Sequence, residues 1–205
     1  MDVPHLMPLT RTVAPQARQE MVRHCQQWNG CKQCQFGVHG GNKVYYRGHV
    51  PAEVLFIAEA PSIEDHSTKL PMSSDPGTVM NRMILNSAAR SGKEFKWCIT
   101  MTVLCTPFNE ARDIVTPKVP ELGPCSYRLH EFVQIVKPKI IVRVGAVAIR
   151  MIPASVPIYH GEGVPPTHTK NCDMYHPTWI SFTKDPVLSE KKMMFALSDF
   201  FKEHL

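Results

Sequence analysis

A three-layer α/β/α fold, with a mainly parallel central sheet and helices on both faces, is predicted by three observations. Short apolar runs at Glu53–Ile57, Trp97–Leu104 and Lys139–Val144 read as strands covered on both sides. Segments with apolar residues at helical spacing separate them. Each run leads into a loop before the next helix, the alternation from which parallel sheets are built.

In chain order, Met1–Gln16 holds three prolines and little periodicity, so residues 1–15 are expected to lie extended over the surface. Gln16–Trp28 suits a helix that breaks at Asn29-Gly30. Gly37–Gly48 is turn-rich and contains Val44-Tyr45-Tyr46, a short edge strand. After the Glu53–Ile57 strand, Thr78–Ser91 places Val79, Met83, Ile84 and Ala88 on one helical face. Trp97–Leu104 ends at Cys105, and the following loop, Thr106–Pro120, carries three prolines. Cys125–Val136 reads as a helix stopped by Pro138, and Gly145–Met151 opens another after the Lys139–Val144 strand. Ile158–Asp173 reads as a loop rich in Pro, Gly and His, and Lys191–Glu203 as a closing amphipathic helix. Sites in such sheets lie at the carboxyl ends of the strands. Ala58–Met72, Cys105–Arg112 and His176–Trp179 are therefore expected to converge.

The 205 residues suit one domain, 1–205, with a sizeable core. Hydrophobic (43%) and charged (20%) fractions are those of a globular protein, and the net charge of +5 favours a polyanionic partner without requiring one. No apolar run approaches the roughly 20 residues that span a bilayer. The N-terminus lacks the basic-then-apolar arrangement of a secretory signal. Seven cysteines, an odd number, argue against a closed disulfide framework. A cytoplasmic monomer with reduced thiols and no membrane partner is expected.

Cys31-x-x-Cys34 presents two thiols from one turn, and Cys105 and Cys125 follow on separate segments. Four such residues make a tetrahedral set for zinc or an iron–sulfur cluster, although a C-x-x-C pair is also found in redox disulfides. Cys25 competes for the fourth position. Downstream stand Ala58-Glu59-Ala60-Pro61-Ser62, directly after a strand, and His176-Pro177 near the C-terminus.

In their order, these pieces resemble the uracil-DNA glycosylase superfamily, in particular its iron–sulfur branches (families 4 and 5). The C-x-x-C pair comes first, then a Gly-Glu-Ala-Pro-Gly-type loop, here Ala58 to Ser62, and a Gly-Arg-Pro-Phe-like segment, here Lys69-Leu70-Pro71-Met72. Cys105 follows, with Pro107, Asn109 and Arg112 behind it, and then Cys125. Pro138-Lys139 leads a strand into Gly145-Ala146-Val147-Ala148, and His176-Pro177-Thr178 matches a His-Pro-Ser motif. The resemblance covers most of the chain from Cys31 onward. It implies a structural 4Fe-4S cluster on Cys31, Cys34, Cys105 and Cys125, with zinc as the alternative that thiolate count alone leaves open.

The departures from the family pattern fall on the base pocket. The family asparagine that reads the uracil edge falls on Met101, and the phenylalanine that stacks on the flipped base falls on Met72. The glycines at the ends of the first motif have become Ala58 and Ser62. A pocket of Ala58, Ala60, Pro61, Ser62, Met72 and Met101 thus looks altered, since flexible methionine fits irregular ligands and lost hydrogen bonds remove discrimination.

Cleaving an N-glycosidic bond requires a flipped base, a stabilised leaving charge and a placed water. The resemblance assigns charge stabilisation to His176, which can equally be a turn histidine. Glu59, Glu64 and Asp65 are the candidate water-positioning carboxylates, and each can instead cap or solvate the loop. No lysine stands in these motifs for Schiff-base chemistry, so a monofunctional glycosylase leaving an abasic site is implied. Arg112, Lys170 and Thr178 are candidate DNA contacts, with Lys118 and Lys184 as further cations. The expected substrate is a modified pyrimidine of the kind found in phage DNA, which suits antiviral defence. Uracil repair and a catalytically silent DNA-binding member are the alternatives.

Overall fold

A computed structural model describes residues 11–39 and 41–205. Six strands form the main sheet: β1 (Arg11–Val13), β2 (Tyr46–Val50), β3 (Val54–Ala58), β4 (Trp97–Met101), β5 (Ile140–Val144) and β8 (Lys170–Met174), in the order β1-β2-β4-β3-β5-β8. From β4 to β8 every neighbour is parallel. β2 runs antiparallel to β4, with β1 parallel to β2 at the far edge. A separate hairpin joins β6 (Pro157–Ile158) to β7 (Thr167–His168).

The period of two along the strands divides the core. Leu55, Ile57 and Ile141 belong to one apolar cluster with Met21 and Trp28 of α1 (Pro15–Asn29) and Leu129 and Phe132 of α5 (Val119–Val136). Val54, Phe56, Val142 and Ile99 belong to the other, with Met80 and Met83 of α4 (Asp75–Ser91) and Leu197 and Phe201 of α8 (Pro186–His204). Residues 54 to 57 have no exposed surface, so each of these large side chains contributes about 1.5–3 kcal/mol to stability. Shorter helices are α2 (Gln35–His39), α3 (Ile63–Thr68), α6 (Ala146–Met151) and α7 (Pro177–Ile180).

Local chemistry sets the helix ends. Pro15 starts α1, where its missing N–H is not needed. Asp185 accepts from the Leu188 N–H at 2.9 Å to cap α8, five residues earlier than the helix predicted from Lys191. Gly92, at φ +68°, ends α4 with its N–H on the Ala88 and Ala89 carbonyls. Residues 1–10 of the predicted N-terminal segment lie outside the described residues, and Arg11–Val13 is a strand. β8 takes up the end of the stretch predicted to be loop, Ile158–Asp173, and runs one residue past it. Val44 and Tyr45 precede β2, which is an interior strand because β1 covers it.

The layers and mostly parallel sheet match the expectation; the cluster does not. All seven cysteines are free thiols. Cys105 lies near enough to Cys34 and Cys125 for their charges to act on it. Among the described residues, however, no group of three or more His, Cys, Asp or Glu side chains is placed to hold a metal ion. Neither a 4Fe-4S cluster nor zinc on Cys31, Cys34, Cys105 and Cys125 is therefore supported. Spacing in the sequence does not fix whether thiols on separate segments come together in space. Burial pushes the Cys105 thiol up to about 11, against the pull of Lys43, whose Nζ lies 3.1 Å from Sγ, and also raises Cys125.

Candidate active site

β3 ends at Ala58 and the chain turns through Glu59-Ala60-Pro61-Ser62 into α3. Two fully buried threonines beyond β4 hold this turn. The Thr102 N–H donates to the Ala58 carbonyl at 2.9 Å, and its hydroxyl donates to the Glu59 carbonyl. Thr106 Oγ1 donates to the Ser62 carbonyl at 3.4 Å. Ser62 and Asp65 form a reciprocal capping box, each backbone N–H donating to the other's side chain at 3.1 Å. The second Asp65 oxygen accepts from the Ser73 N–H at 2.7 Å and the Ser73 hydroxyl at 2.8 Å. Asp65 is 1% exposed, so this carboxylate ties the two ends of the loop together.

On the neighbouring strands, β5 ends at Val144 and Gly145 turns into α6, while β8 ends at Met174 and the chain continues to His176. The Gly145 N–H donates to the Met174 carbonyl at 2.9 Å, which keeps the two strand ends in register. Gly145 has φ +86° and ψ 168°, a region essentially reserved for glycine. A Cβ there would lie 3.3 Å from His176 Cβ and 3.7 Å from Glu59 Oε2. His176 and Glu59 thus meet across a bare glycine at the carboxyl ends of three parallel strands.

The histidine's tautomer follows from its hydrogen bonds. Nδ1 accepts from the Thr178 N–H at 3.3 Å and lies 3.0 Å from Thr178 Oγ1, so in the neutral ring Nε2 carries the proton. Burial depresses the His176 pKa, outweighing the opposing charge of Asp65. Burial also raises the Glu59 pKa, against the Arg150 guanidinium. Arg150 itself lines a cleft of about 580 Å³ with Lys118, Leu122 and Met151. A neutral N–H donor and a carboxylate of raised pKa therefore flank the same glycine.

Other predicted residues lie elsewhere. Glu64 is exposed on the first turn of α3. Lys170 begins β8, four residues before the end from which the chain reaches His176. Arg112 donates to the His39 carbonyl at 2.9 Å and sits 5.7 Å over the Phe108 ring. Thr178 orients His176. The sequence reading missed Thr102, Thr106 and, above all, Arg47, and gave Gly145 only as the start of a helix-opening motif. Arg47 has no exposed surface, donates to the Pro71 and Met72 carbonyls at 2.8 and 3.3 Å, and binds Asn81 Oδ1 at 2.7 Å. An arginine inside the apolar stretch from Val44 to Val50 was the signal available.

The family model for the Uracil DNA glycosylase superfamily matches residues 46–200. The chain belongs to this superfamily. It is similar to the type-4 uracil-DNA glycosylase of Sulfurisphaera tokodaii, at 31% identity over 56% of this chain and 50% of that protein. It is also similar to the type-4 enzymes of Thermotoga maritima, at 26% over 58% of each, and of Saccharolobus solfataricus, at 30% over 56% and 50%. The chain spans about half the length of the relatives it matches.

These findings correct the expectation of an altered base pocket. Nothing in the superfamily match or its type-4 relatives supports one. Met72 (3% exposed) and Met101 (1% exposed) belong to the apolar cluster that contains Phe56 and Met80. Met72 is held at φ +54°, with its carbonyl accepting from Arg47. Their burial is accounted for by the core.

Proposed function

We propose that this chain is a uracil-DNA glycosylase, hydrolysing the N-glycosidic bond of uracil in DNA to leave free uracil and an abasic site. The observation that carries the reading is the pairing of a neutral, Nε2-protonated His176 with Glu59 across Gly145. The type-4 uracil-DNA glycosylases among its relatives support uracil as the base.

In this mechanism the deoxyuridine leaves the stack and its base enters beside the Ala58–Ser62 loop. As the bond from C1′ to N1 breaks, the electron pair stays with the base. His176 Nε2–H donates to the anionic base oxygen, where a preorganised donor acts most strongly. Glu59 orients a water towards C1′, favours the cationic sugar, and accepts the proton released as the new C–O bond forms. Asp65 positions the loop without touching the substrate, and Thr178 positions His176. Burial favours the neutral histidine and, by raising the Glu59 pKa, makes its ionised form the stronger base.

Mass spectrometry of bases released from uracil-containing, unmodified and phage-modified DNAs tests the proposal. Release of uracil is the expected result. Release of a hypermodified pyrimidine with uracil untouched would return the protein to the defence reading. DNA binding without release of any base would make it a silent member of the fold.

A further inference from the structure

Beside His176, three aromatic rings stand in solvent. Tyr175 is 60% exposed, Trp179 43% and Phe182 82%. Tyr175 and Trp179 stack on each other, with centroids 4.4 Å apart and planes 19° from parallel. Their backbone is firmly held. The Trp179 N–H donates to the His176 carbonyl at 2.8 Å, the Phe182 N–H to the Trp179 carbonyl at 3.0 Å, and the Thr183 N–H to the Ile180 carbonyl at 3.1 Å. Pro177 and Ile180, both buried, anchor the turn beneath the rings.

We propose that Tyr175, Trp179 and Phe182 form a stacking platform for an unpaired nucleobase beside the target nucleotide, giving the enzyme a preference for single-stranded DNA. The proposal rests on the glycosylase reading and extends it to the form of the substrate. The occupant follows from three features. A preorganised stack presents a π-face, which every nucleobase can cover whatever its sequence. The rings flank His176 in the chain, so a base on the platform belongs to the strand whose neighbouring nucleotide enters the site.

Charge is the third feature. Asp173 pairs with Arg143 at 2.6 Å, Glu190 with Arg82 at 2.5 Å, and Asp185 caps α8. Lys184, exposed two residues beyond Phe182, makes no ion pair among the described residues and is available to a phosphate. In duplex DNA a neighbouring base is stacked and paired, so using the platform requires breaking those contacts. In a single strand it does not.

Two measurements test this. Fluorescence anisotropy of an end-labelled, uracil-free oligothymidylate reads the platform independently of catalysis and of Trp179 itself. Wild type is expected to bind single strands at least about tenfold more tightly than Tyr175→Ala/Trp179→Ala, the size of one lost stacking contact. Uracil release from matched single-stranded and duplex substrates reads the preference, which is expected to favour single strands in wild type and to collapse in the double variant. Trp179→Phe, which keeps a ring, is expected to restore most of both.

Equal oligothymidylate binding by wild type and the double variant would overturn the platform, as would faster release from duplex by wild type. A wild-type dimer in sedimentation that the double variant dissociates would reassign the rings to self-association. Tight oligothymidylate binding without uracil release would overturn the glycosylase reading and leave the platform standing.

Discussion

Replacing Gly145 by alanine separates backbone strain from crowding at the site. The residue sits at φ +86° and ψ 168°, where any side chain costs about 1–3 kcal/mol of stability. The new methyl group also enters the gap between the two proposed catalytic groups, 3.3 Å from His176 Cβ and 3.7 Å from Glu59 Oε2. The first contact is tight enough to push the imidazole outward by a few tenths of an ångström. A displacement of 1 Å costs about 10²-fold in rate, so for a few tenths of an ångström a loss of roughly tenfold or less in single-turnover uracil release is expected. Gly92→Ala is the control, because Gly92 also has positive φ (+68°) but nothing lies within 4 Å of its Cβ position. That variant is expected to lose about 1 kcal/mol and to react at the wild-type rate. Urea unfolding and rapid-quench kinetics measure both properties. Wild-type rate and stability in Gly145→Ala, or an equal rate loss in Gly92→Ala, would refute the argument.

Other expectations follow from the same contacts. His176→Ala should lower kcat by about 10²–10³-fold while DNA affinity stays within about twofold; matching losses in affinity would make the residue a binding group. Because burial depresses its pKa, His176 should titrate below 6.5 by NMR, with Nδ1 unprotonated at neutral pH; a midpoint above 6.5 contradicts the assigned tautomer. Asp65→Ala leaves the Ser62 and Ser73 N–H groups and the Ser73 hydroxyl without their acceptor and should cost about 3–5 kcal/mol; a loss below about 1 kcal/mol in urea unfolding would show that the loop does not depend on it.

His24 gives the last expectation. Burial and the Arg128 charge hold it at about 4, although Glu131 Oε2 lies 3.3 Å away. The unfolded chain therefore takes up the extra proton first. Stability should be full above pH 6.5 and fall by roughly 3 kcal/mol as the pH drops to about 4. His24→Gln should flatten that slope, and an unchanged slope would place the acid sensitivity elsewhere.

The residues that announced themselves in the sequence were those whose environment is uniform. Strands such as Val54–Ala58, buried on both faces, carry unbroken apolar runs. The Ala58–Ser62 loop was legible because it follows a strand end, and His176 because its His-Pro-Thr run resembles a motif. β8 was read as loop because an edge strand needs few apolar residues, and Lys170, Asn171 and Asp173 break any alternation. Arg47 escaped for a related reason. A charged residue in an apolar stretch suggests exposure, whereas here the carbonyls of a loop 24 and 25 residues away satisfy it. The four-cysteine set was read from spacing and motif order, which do not fix whether side chains on separate segments are placed as one ligand group. Met72 and Met101 were assigned to a pocket by motif position, while their side chains belong to the core.

Glu59 and His176 hang from parts of the sheet with different resistance to opening. Glu59 follows β3, which has a partner on each side. His176 follows β8, which among the described residues is paired only with β5. Local opening free energies are lowest at edges and rise towards the centre. As denaturant rises, fraying of one outer strand can separate the two groups while the rest of the sheet remains closed. Inactivation should then run ahead of the loss of secondary structure, and the two midpoints would define different transitions of one molecule. A half-life measured by catalysis would describe the tether of one histidine, not the persistence of the fold.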